Sequence, residues 1–298
     1  MNESLQVPVM ISEAVEGLAL KPGDSVIDAT VGGGGHSQAI LEATSPDGRL
    51  LAIDWDQDAI GRSKKRLAAY RERVIYQQAN YTETKQIAYE QRFYPVSAIL
   101  LDLGLSYDQL KDESRGFSFN LEGPLDMRFS DQVALTAKEI VNTWPEKSLE
   151  HIFTEYGEER RAAHAAQAIA AARKRAPINT TRELVDVVVR GAGGRGRYRI
   201  HPATRIFQAL RIATNGELEN LKRALPELIS LLRPGGRMAV LSFHSLEDRI
   251  IKFFFKDLAA RENPVITLVN KKVIKPSRAE ALANRPSRSA KLRIIQKI

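Results

Sequence analysis

The amino-acid sequence predicts an α/β fold, a mostly parallel sheet with a helical domain inserted into it. Three observations lead to this prediction. Strand-like apolar runs alternate with helical stretches over residues 24–106, the alternation stops over residues 107–211, and strand-like sequence then resumes. We therefore expect the sheet domain to comprise residues 1–106 and 212–298, with the insert at 107–211.

The first half of the sheet is predicted from four runs rich in Ile, Val and Leu. They read DSVIDAT (24–30), GRLLAID (48–54), RVIYQQA (73–79) and VSAILLDLG (96–104). The runs lack polar alternation, which is expected of strands covered on both faces. A helical stretch follows the second run, with Asp56 or Asp58 as its candidate N-cap.

Helical sequence patterns dominate the insert, and strand-like sequence resumes after it. We expect one long alanine-rich helical stretch at 148–175 and a second helix at 180–192. A helix at 217–233 and a turn at 234–236 precede the strand RMAVLSFH (237–244). Two later runs, VITLVNKKV (265–273) and AKLRIIQKI (290–298), are expected to pair antiparallel at the sheet edge.

The charge of the chain is unevenly distributed. The formal net charge is +8, yet residues 160–211 hold twelve Lys and Arg against two acids, and residues 271–298 hold nine against one. Two basic regions on an acidic body favour a polyanionic partner such as nucleic acid, although solvated helix faces are the alternative. We expect Arg195, Arg197 and Arg199, in a glycine–arginine loop, to contact RNA phosphates.

Composition also excludes several classes of protein. The chain has no cysteine, so disulfides and thiolate metal sites are excluded. Its first residues lack the regions of a signal peptide, and no stretch is apolar for long enough to span a membrane, so we expect a cytoplasmic protein. The histidine spacing matches no metal motif, and the zinc-deaminase and Gly-x-Ser-x-Gly hydrolase patterns are missing. No metal site is expected.

A nucleotide-type site is predicted where the first strand ends. Residues 28–36 form a glycine loop, and successive glycines let the backbone approach a ligand closely. Asp54 ends the next strand, where a carboxylate can accept both ribose hydroxyls. The dinucleotide and phosphate-loop fingerprints both fail in this chain. An adenosyl ligand without phosphate fits this combination, and S-adenosylmethionine is the leading case.

Two further residues are expected to face the same crevice. Asp102 ends the fourth strand, where it could hold the ammonium group of the cofactor or accept a hydrogen bond from the nucleophile; capping the following segment is the alternative. Tyr81 follows the third strand and could pack on the adenine, while a core position is the alternative.

Ten segments along the chain resemble one known family. They are VPVM (7–10), DATVGGGGHS (28–37), LLAIDWDQDAI (51–60), LLDLGLS (100–106), RGFSFN (115–120), GPLDMRF (123–129), YGEER (156–160), HPATRIFQALRIA (201–213), RPGGRMAVLSFHSLEDRIIKFF (233–254) and RPSRSAKLR (285–293). In this order they are similar to the ribosomal RNA small subunit methyltransferase H family, also called MraW. GPLDMR, HPATR-x-FQA and SFHSLEDR are not generic to methyltransferases.

The resemblance implies a class I (Rossmann-like) S-adenosylmethionine methyltransferase domain with an inserted helical substrate-recognition domain. It implies methylation of the exocyclic N4 amine of one cytidine in the decoding (P-site) region of 16S rRNA, in the small ribosomal subunit. Carried over by position, the cofactor contacts fall on Gly34, Gly35, His36, Asp54, Tyr81, Asp102 and Gln109.

This chain departs from the family pattern at three places. The family usually has Phe where Tyr81 stands, and the ring is kept. The family segment LGVSSPQLD reads LGLSYDQLK here, so the loop before Gln109 is altered, and DMRF replaces DMRM.

The implied reaction is an in-line displacement by the amine nitrogen, which requires donor and acceptor to be held ~3–3.5 Å apart. Asp102, or a backbone carbonyl of residues 103–106, is expected to accept a hydrogen bond from the amine. His244 is the second catalytic candidate, and a structural hydrogen-bonding role is its alternative. Further candidates near the base are Ser242, Asp248, Asp126, Arg128 and the aromatic residues Phe117, Phe119 and Phe129, for which core packing is the alternative.

Two other functions are kept open by the sequence. A DNA or protein methyltransferase would use the same cofactor crevice, and only the insert would distinguish it. A catalytically silent assembly factor would bind rRNA and use the cofactor site as a sensor. The sequence also leaves open whether the protein is a monomer or a homodimer.

Overall fold

The computed structural model describes residues 8–191 and 201–298. The chain forms two compact units, residues 1–106 with 218–298 and residues 107–217. We call them the sheet unit and the insert unit. The insert unit ends at Glu217, just beyond a helix that runs to Asn215, whereas the sequence placed the boundary at residue 211, within that helix.

The sheet unit is built on seven strands in the order β3-β2-β1-β4-β5-β7-β6. The strands are β1 (Ser25–Asp28), β2 (Arg49–Asp54), β3 (Val74–Gln78), β4 (Val96–Asp102), β5 (Leu232–Ser242), β6 (Ile266–Leu268) and β7 (Lys291–Lys297). β1 to β5 pair in parallel, while β7 is antiparallel to both β5 and β6. The predicted mostly parallel sheet and the antiparallel pair at its edge are confirmed.

Thirteen α-helices lie in the described residues. They are α1 (Ile11–Leu18), α2 (Gly35–Ala43), α3 (Gln57–Arg66), α4 (Thr84–Glu90), α5 (Tyr107–Lys111), α6 (Ala137–Thr143), α7 (Glu146–Glu155), α8 (Ala162–Arg173), α9 (Thr181–Gly191), α10 (Pro202–Asn215), α11 (Glu217–Leu231), α12 (Ser245–Ala259) and α13 (Arg278–Ala283). Within this part of the chain, no helix has both the length and the apolar character needed to cross a membrane.

Both faces of the sheet are covered, as the unalternating apolar strands predict. Successive residues of β1 enter different cores: Ile27 packs with α4, α11 and α12, while Val26 packs with α1, α2 and α3. This arrangement leaves the carboxyl ends of the parallel strands as the accessible edge of the sheet unit.

The structure changes the start of one predicted strand and decides between the two candidate N-caps of α3. β5 begins before the predicted strand and runs through Pro234, Gly235 and Gly236, where its register with β4 shifts between Val96 and Ala98. The predicted turn is therefore an irregularity within a strand. The N-cap of α3 is Asp56, whose side chain accepts a hydrogen bond from the backbone N–H of Asp58.

The prediction of one long helix at 148–175 is wrong. The structure has two helices there, α7 and α8, which pack against each other. α7 ends where the backbone N–H groups of Tyr156 and Gly157 both donate to the carbonyl of Ile152, and Glu158 takes a left-handed conformation with φ 48°. The alanine-rich composition of this stretch did not indicate that the helix breaks between α7 and α8.

Candidate active site

Three aspartates end neighbouring strands on the same edge of the sheet. Asp28 ends β1, Asp54 ends β2 and Asp102 ends β4. Because the strands are parallel and adjacent, their carboxyl ends meet at one edge. The structure therefore brings together the two acids predicted from the sequence as site residues and adds Asp28 beside them.

The glycine loop makes a tight turn between β1 and α2. Gly34 is the N-cap of α2 and has a left-handed φ of 79°, which favours glycine. The N–H of Gly34 donates to the carbonyl of Val31 at 2.8 Å. At Gly35, an added Cβ would lie 2.0 Å from Cγ of Pro8. The first position needs this backbone conformation, and the second allows close approach of another chain segment.

Asp54 is held in place by two backbone groups. The N–H of Gly32 donates to Oδ2 and the N–H of Asp56 donates to Oδ1, each at 2.8 Å. Burial raises the pKa of Asp54 to about 6 in spite of these bonds. Each carboxylate oxygen retains a further lone pair, so the group can accept two more hydrogen bonds from a ligand.

Asp28 is fixed by the loop that follows it. The hydroxyl of Ser37 donates to Oδ2 at 2.6 Å and the N–H of Thr30 donates to Oδ1 at 3.2 Å. Burial raises the pKa of Asp28 to about 6. The hydroxyl oxygen of Thr30 in turn accepts the N–H of Asp102 at 2.6 Å, which ties the end of β4 to this loop.

His36 is a buried neutral ring between two groups. Its Nε2 lies 2.9 Å from the carbonyl oxygen of Val9, which can only accept, so Nε2 carries the proton. Burial lowers the pKa of His36 to about 4, and the ring is uncharged at neutral pH. Its Nδ1 faces Oδ2 of Asp102 at 3.5 Å.

Asp102 is the least satisfied of the three acids. Its side chain is 14% exposed, and its Oδ1 atom is buried without a hydrogen-bond partner. Burial first, and then the negative charges of Asp28 and Glu247, raise the pKa of Asp102 well above its ordinary value. A buried polar atom of this kind is costly in the free protein and is suited to a cationic or hydrogen-bonding ligand.

Tyr81 lies directly beyond β3 in a short 3-10 helix, Tyr81–Glu83. A capping box between Asn80 and Glu83 holds the start of that turn. The ring of Tyr81 is partly buried and packs against one core of the sheet unit. The sequence left a core position and an adenine contact as alternatives; this packing agrees with the first, and the adenine contact stays a prediction.

His244 has a structural role in the sheet unit. It is the N-cap of α12, where its Nδ1 accepts the N–H of Glu247 at 3.4 Å, and its Nε2 lies 3.2 Å from Oε1 of Glu247. Asp248, which the sequence suggested as a residue bordering the base, forms ion pairs with Lys291 and Arg293 at 3.1 and 2.7 Å. Burial favours the neutral form of Asp248, but the hydrogen bonds and charges of the two cations together outweigh burial and lower its pKa.

Ser242 is buried at the end of β5 in the sheet unit, and the other remaining sequence candidates belong to the insert unit. Gln109 is buried on α5. Arg128 donates two hydrogen bonds to the carboxylate of Asp126, at 2.9 and 2.8 Å, so this pair braces its own loop. The candidate aromatic residues stack within the unit: Phe117 on Phe129 and Phe119 on His201. Arg195, Arg197 and Arg199 lie outside the described residues.

Sequence reasoning missed four groups that shape the site. Thr30 and Ser37 hold the acids, the carbonyl of Val9 fixes the tautomer of His36, and Glu247 adds charge near Asp102. The position of Thr30 and Ser37 next to the glycine loop was the available signal. Val9 and Glu247 lie in the segments VPVM and SFHSLEDR, but no local pattern indicates that they approach His36 and Asp102.

Comparison with known proteins gives a consistent result. A family model described as "MraW methylase family" matches residues 3–298. A protein of Thermomicrobium roseum is 48% identical, with 98% of this chain and 93% of the relative covered. Relatives from Syntrophobacter fumaroxidans (45%; 98% and 96% covered) and Carboxydothermus hydrogenoformans (41%; 99% and 99%) are similar over comparable lengths. All three are named ribosomal RNA small subunit methyltransferase H.

Proposed function

This chain belongs to the MraW methylase family, and from that premise we propose that it methylates the exocyclic N4 amine of one cytidine in the decoding (P-site) region of 16S rRNA. We place the reaction on the small ribosomal subunit in the cytoplasm, with S-adenosylmethionine as methyl donor. The coarser statement, an rRNA methyltransferase, follows from the names of its relatives. The observation that carries the proposal is agreement with those relatives along nearly the whole chain.

The residues at the strand ends fit S-adenosylmethionine. Asp54 retains lone pairs that can accept hydrogen bonds from two ribose hydroxyls. Gly34 makes the turn at the start of α2 and has no side chain that would block a ligand. The unpartnered Oδ1 of Asp102 is suited to the cofactor's ammonium group. The proposed cofactor contacts are Gly34, Gly35, His36, Asp54, Tyr81, Asp102 and Gln109.

The bound cofactor would supply an activated methyl group on a sulfonium. The task of this chain is then mainly to position groups and to hold a proton. Asp102, once ionised by a cationic neighbour, can accept a hydrogen bond from the cytosine amine and stabilise the positive charge that develops on it. Thr30 positions Asp102 through its backbone N–H. His36, neutral and anchored to Val9, limits how far the carboxylate can rotate.

His244 is proposed as a second group near the base, acting through its imidazole edge while it caps α12. We further propose that Arg195, Arg197 and Arg199 contact phosphates of the rRNA, since three arginines in a glycine-rich segment suit a polyanion.

The proposal is tested by incubating the purified protein with methyl-labelled S-adenosylmethionine and unmodified small ribosomal subunits. Naked 16S rRNA, duplex DNA and ribosomal proteins are run in parallel, and labelled nucleosides are identified by mass spectrometry. We expect label in N4-methylcytidine of the subunit, with Asp102→Asn as the matched inactive control.

Other results would redirect the proposal. Label in another nucleoside would retain the methyltransferase and refute the N4-cytidine assignment. Label in DNA or protein alone would refute the rRNA substrate. Tight subunit binding without any label, with the cofactor shown to bind, would favour a silent assembly factor.

A further inference from the structure

The nine cations of residues 271–298 include three, Lys291, Arg293 and Lys297, that form contacts within the fold. Lys291 and Arg293 neutralise Asp248. Lys297 donates to the backbone carbonyls of Ser230 and Leu232. These cations stabilise the sheet edge, so the local charge excess noted in the sequence overstates what this region offers to a partner.

Three other lysines face one narrow crevice between α12 and the β6–β7 edge. Lys252 and Lys256 stand one helical turn apart on α12, and Lys271 follows β6. None of the three takes part in an ion pair within the part of the chain that the structure describes. Asp257, the acid beside Lys256, is paired with Arg261 at 2.7 Å. We call this feature the lysine crevice.

The segment that carries Lys271 is held firmly against β7. The side chain of Asn270 donates to the carbonyls of Lys272 and Leu292 and accepts the N–H of Ile294 at 2.7 Å. The N–H of Val269 also donates to the carbonyl of Ile294. Lys271 is therefore presented from an ordered backbone, which reduces the entropy lost when its side chain binds a ligand.

The same segment runs toward the catalytic edge. Asp102 pairs in register with Leu241, Leu241 with Leu292, and Leu292 with Ile274. Three strand spacings separate Asp102 from Ile274, about 14 Å at about 4.8 Å each. A polyanion lying in the lysine crevice would thus continue along this edge toward the end of β4.

An exposed aromatic ring stands beside the crevice. Phe253 on α12 is 60% exposed, and the ammonium of Lys252 lies 5.5 Å from its ring centre. Lysines interleaved with an exposed aromatic ring are typical of surfaces that bind phosphates and stack an unpaired base.

We propose that the lysine crevice, Lys252, Lys256 and Lys271, binds backbone phosphates of the rRNA substrate and directs the strand toward the carboxyl ends of the sheet. This inference rests on the proposed function for the identity of the ligand. It assigns substrate contact to the sheet unit itself, in addition to any contact made by the insert unit.

The test compares the triple variant Lys252→Ala/Lys256→Ala/Lys271→Ala with the wild-type protein. Binding of unmodified small ribosomal subunits is measured by filter retention over a range of salt concentrations. Each lost phosphate contact lowers the slope of log affinity against log salt by about 0.7–0.9, so a decrease of about 2 to 3 is expected. We also expect KM for the subunit to rise roughly tenfold or more, with kcat and the affinity for S-adenosylmethionine unchanged.

Two matched variants control for net charge and for folding. Lys21→Ala/Lys64→Ala/Lys65→Ala removes the same charge from exposed lysines outside the crevice, one before β1 and two on α3, and should leave the salt slope closer to that of the wild type. Lys252→Arg/Lys256→Arg/Lys271→Arg keeps the charge and should restore binding.

An unchanged slope and KM in the crevice triple variant, or equal losses in the Lys21 control, would overturn the crevice proposal. Failure of the arginine variant to restore binding would also overturn it, because the loss would then reflect altered folding. If the wild-type protein binds subunits without methylating them, and the crevice variant still lowers the slope, the proposed function falls while the crevice stands. If the wild-type protein does not bind subunits at all, both proposals fall.

Discussion

Replacement of Asp102 by Asn should stabilise the free protein while greatly reducing its turnover. Oδ1 of Asp102 is buried without a partner, and Oδ2 faces Nδ1 of His36, which has no proton to donate. The amide group of Asn could donate a hydrogen bond to that same Nδ1 and would carry no charge. The substitution thus removes a buried anion and supplies a missing donor.

The expected increase in the free energy of unfolding corresponds to the cost of an unsatisfied buried polar group, which is about 1–3 kcal/mol. For a protein of this size, 1 kcal/mol shifts the midpoint of thermal unfolding by roughly 2–4 °C, so an increase of about 2–12 °C is expected at pH 8. The folded-state pKa of Asp102 is raised, so its contribution to stability is fully present below the ordinary pKa of 3.8 and is lost as pH rises through the folded-state pKa. The advantage of the variant should therefore grow with pH.

The assay is thermal unfolding of the wild-type and Asp102→Asn proteins at pH 5 and pH 8, with turnover measured in parallel. Turnover should fall roughly 10²–10³-fold, as for the loss of a group that stabilises a charged transition state. Asp47→Asn, at an exposed loop position, is the control and should change stability by less than about 0.5 kcal/mol at either pH. A variant less stable than wild type at pH 8, or a difference equal at both pH values, would refute the reasoning, as would unchanged turnover.

Three further predictions concern the glycine loop, the buried histidine and the arginine loop. Gly34→Ala should lower the free energy of unfolding by about 1–2 kcal/mol, because φ at this position is 79° and the new Cβ would lie 3.3 Å from the Cα of Ser63. Urea unfolding would measure this loss of stability. Gly33→Ala, at a position without positive φ, is the control. Equal losses of stability in the two variants would contradict the argument. The pKa of His36 is lowered to about 4, so the contribution of the neutral ring to stability is present above the ordinary pKa of 6.5 and is lost as pH falls through 4. Between pH 7 and pH 4, the free energy of unfolding measured by urea titration should therefore fall by about 3 kcal/mol more in the wild-type protein than in His36→Gln. Equal decreases in the two proteins would refute a stabilising role of the neutral ring. Replacing Arg195, Arg197 and Arg199 together with Ala should weaken RNA binding and lower its salt slope by about 2 to 3, and an unaltered slope would favour a solvated loop.

The predicted strands and the acids at their ends required only local sequence. Continuous apolar runs such as β4 specify a strand covered on both faces, and Asp54 and Asp102 could be placed at the site because parallel strands share one carboxyl edge. The motifs that resemble the MraW family were equally readable, since each is a contiguous run of residues.

The partners of those residues were decided by the tertiary structure. His244 caps a helix, Asp248 pairs with two cations of β7, and the carbonyl of Val9 holds His36. These partners lie 27 to 45 residues away for His36 and Asp248, and the break between α7 and α8 depends on packing in the same way. Hydrophobic periodicity is a local property that the sequence determines by itself, whereas burial, hydrogen-bond partners and the pKa of a carboxyl group depend on which distant segments the fold brings alongside it.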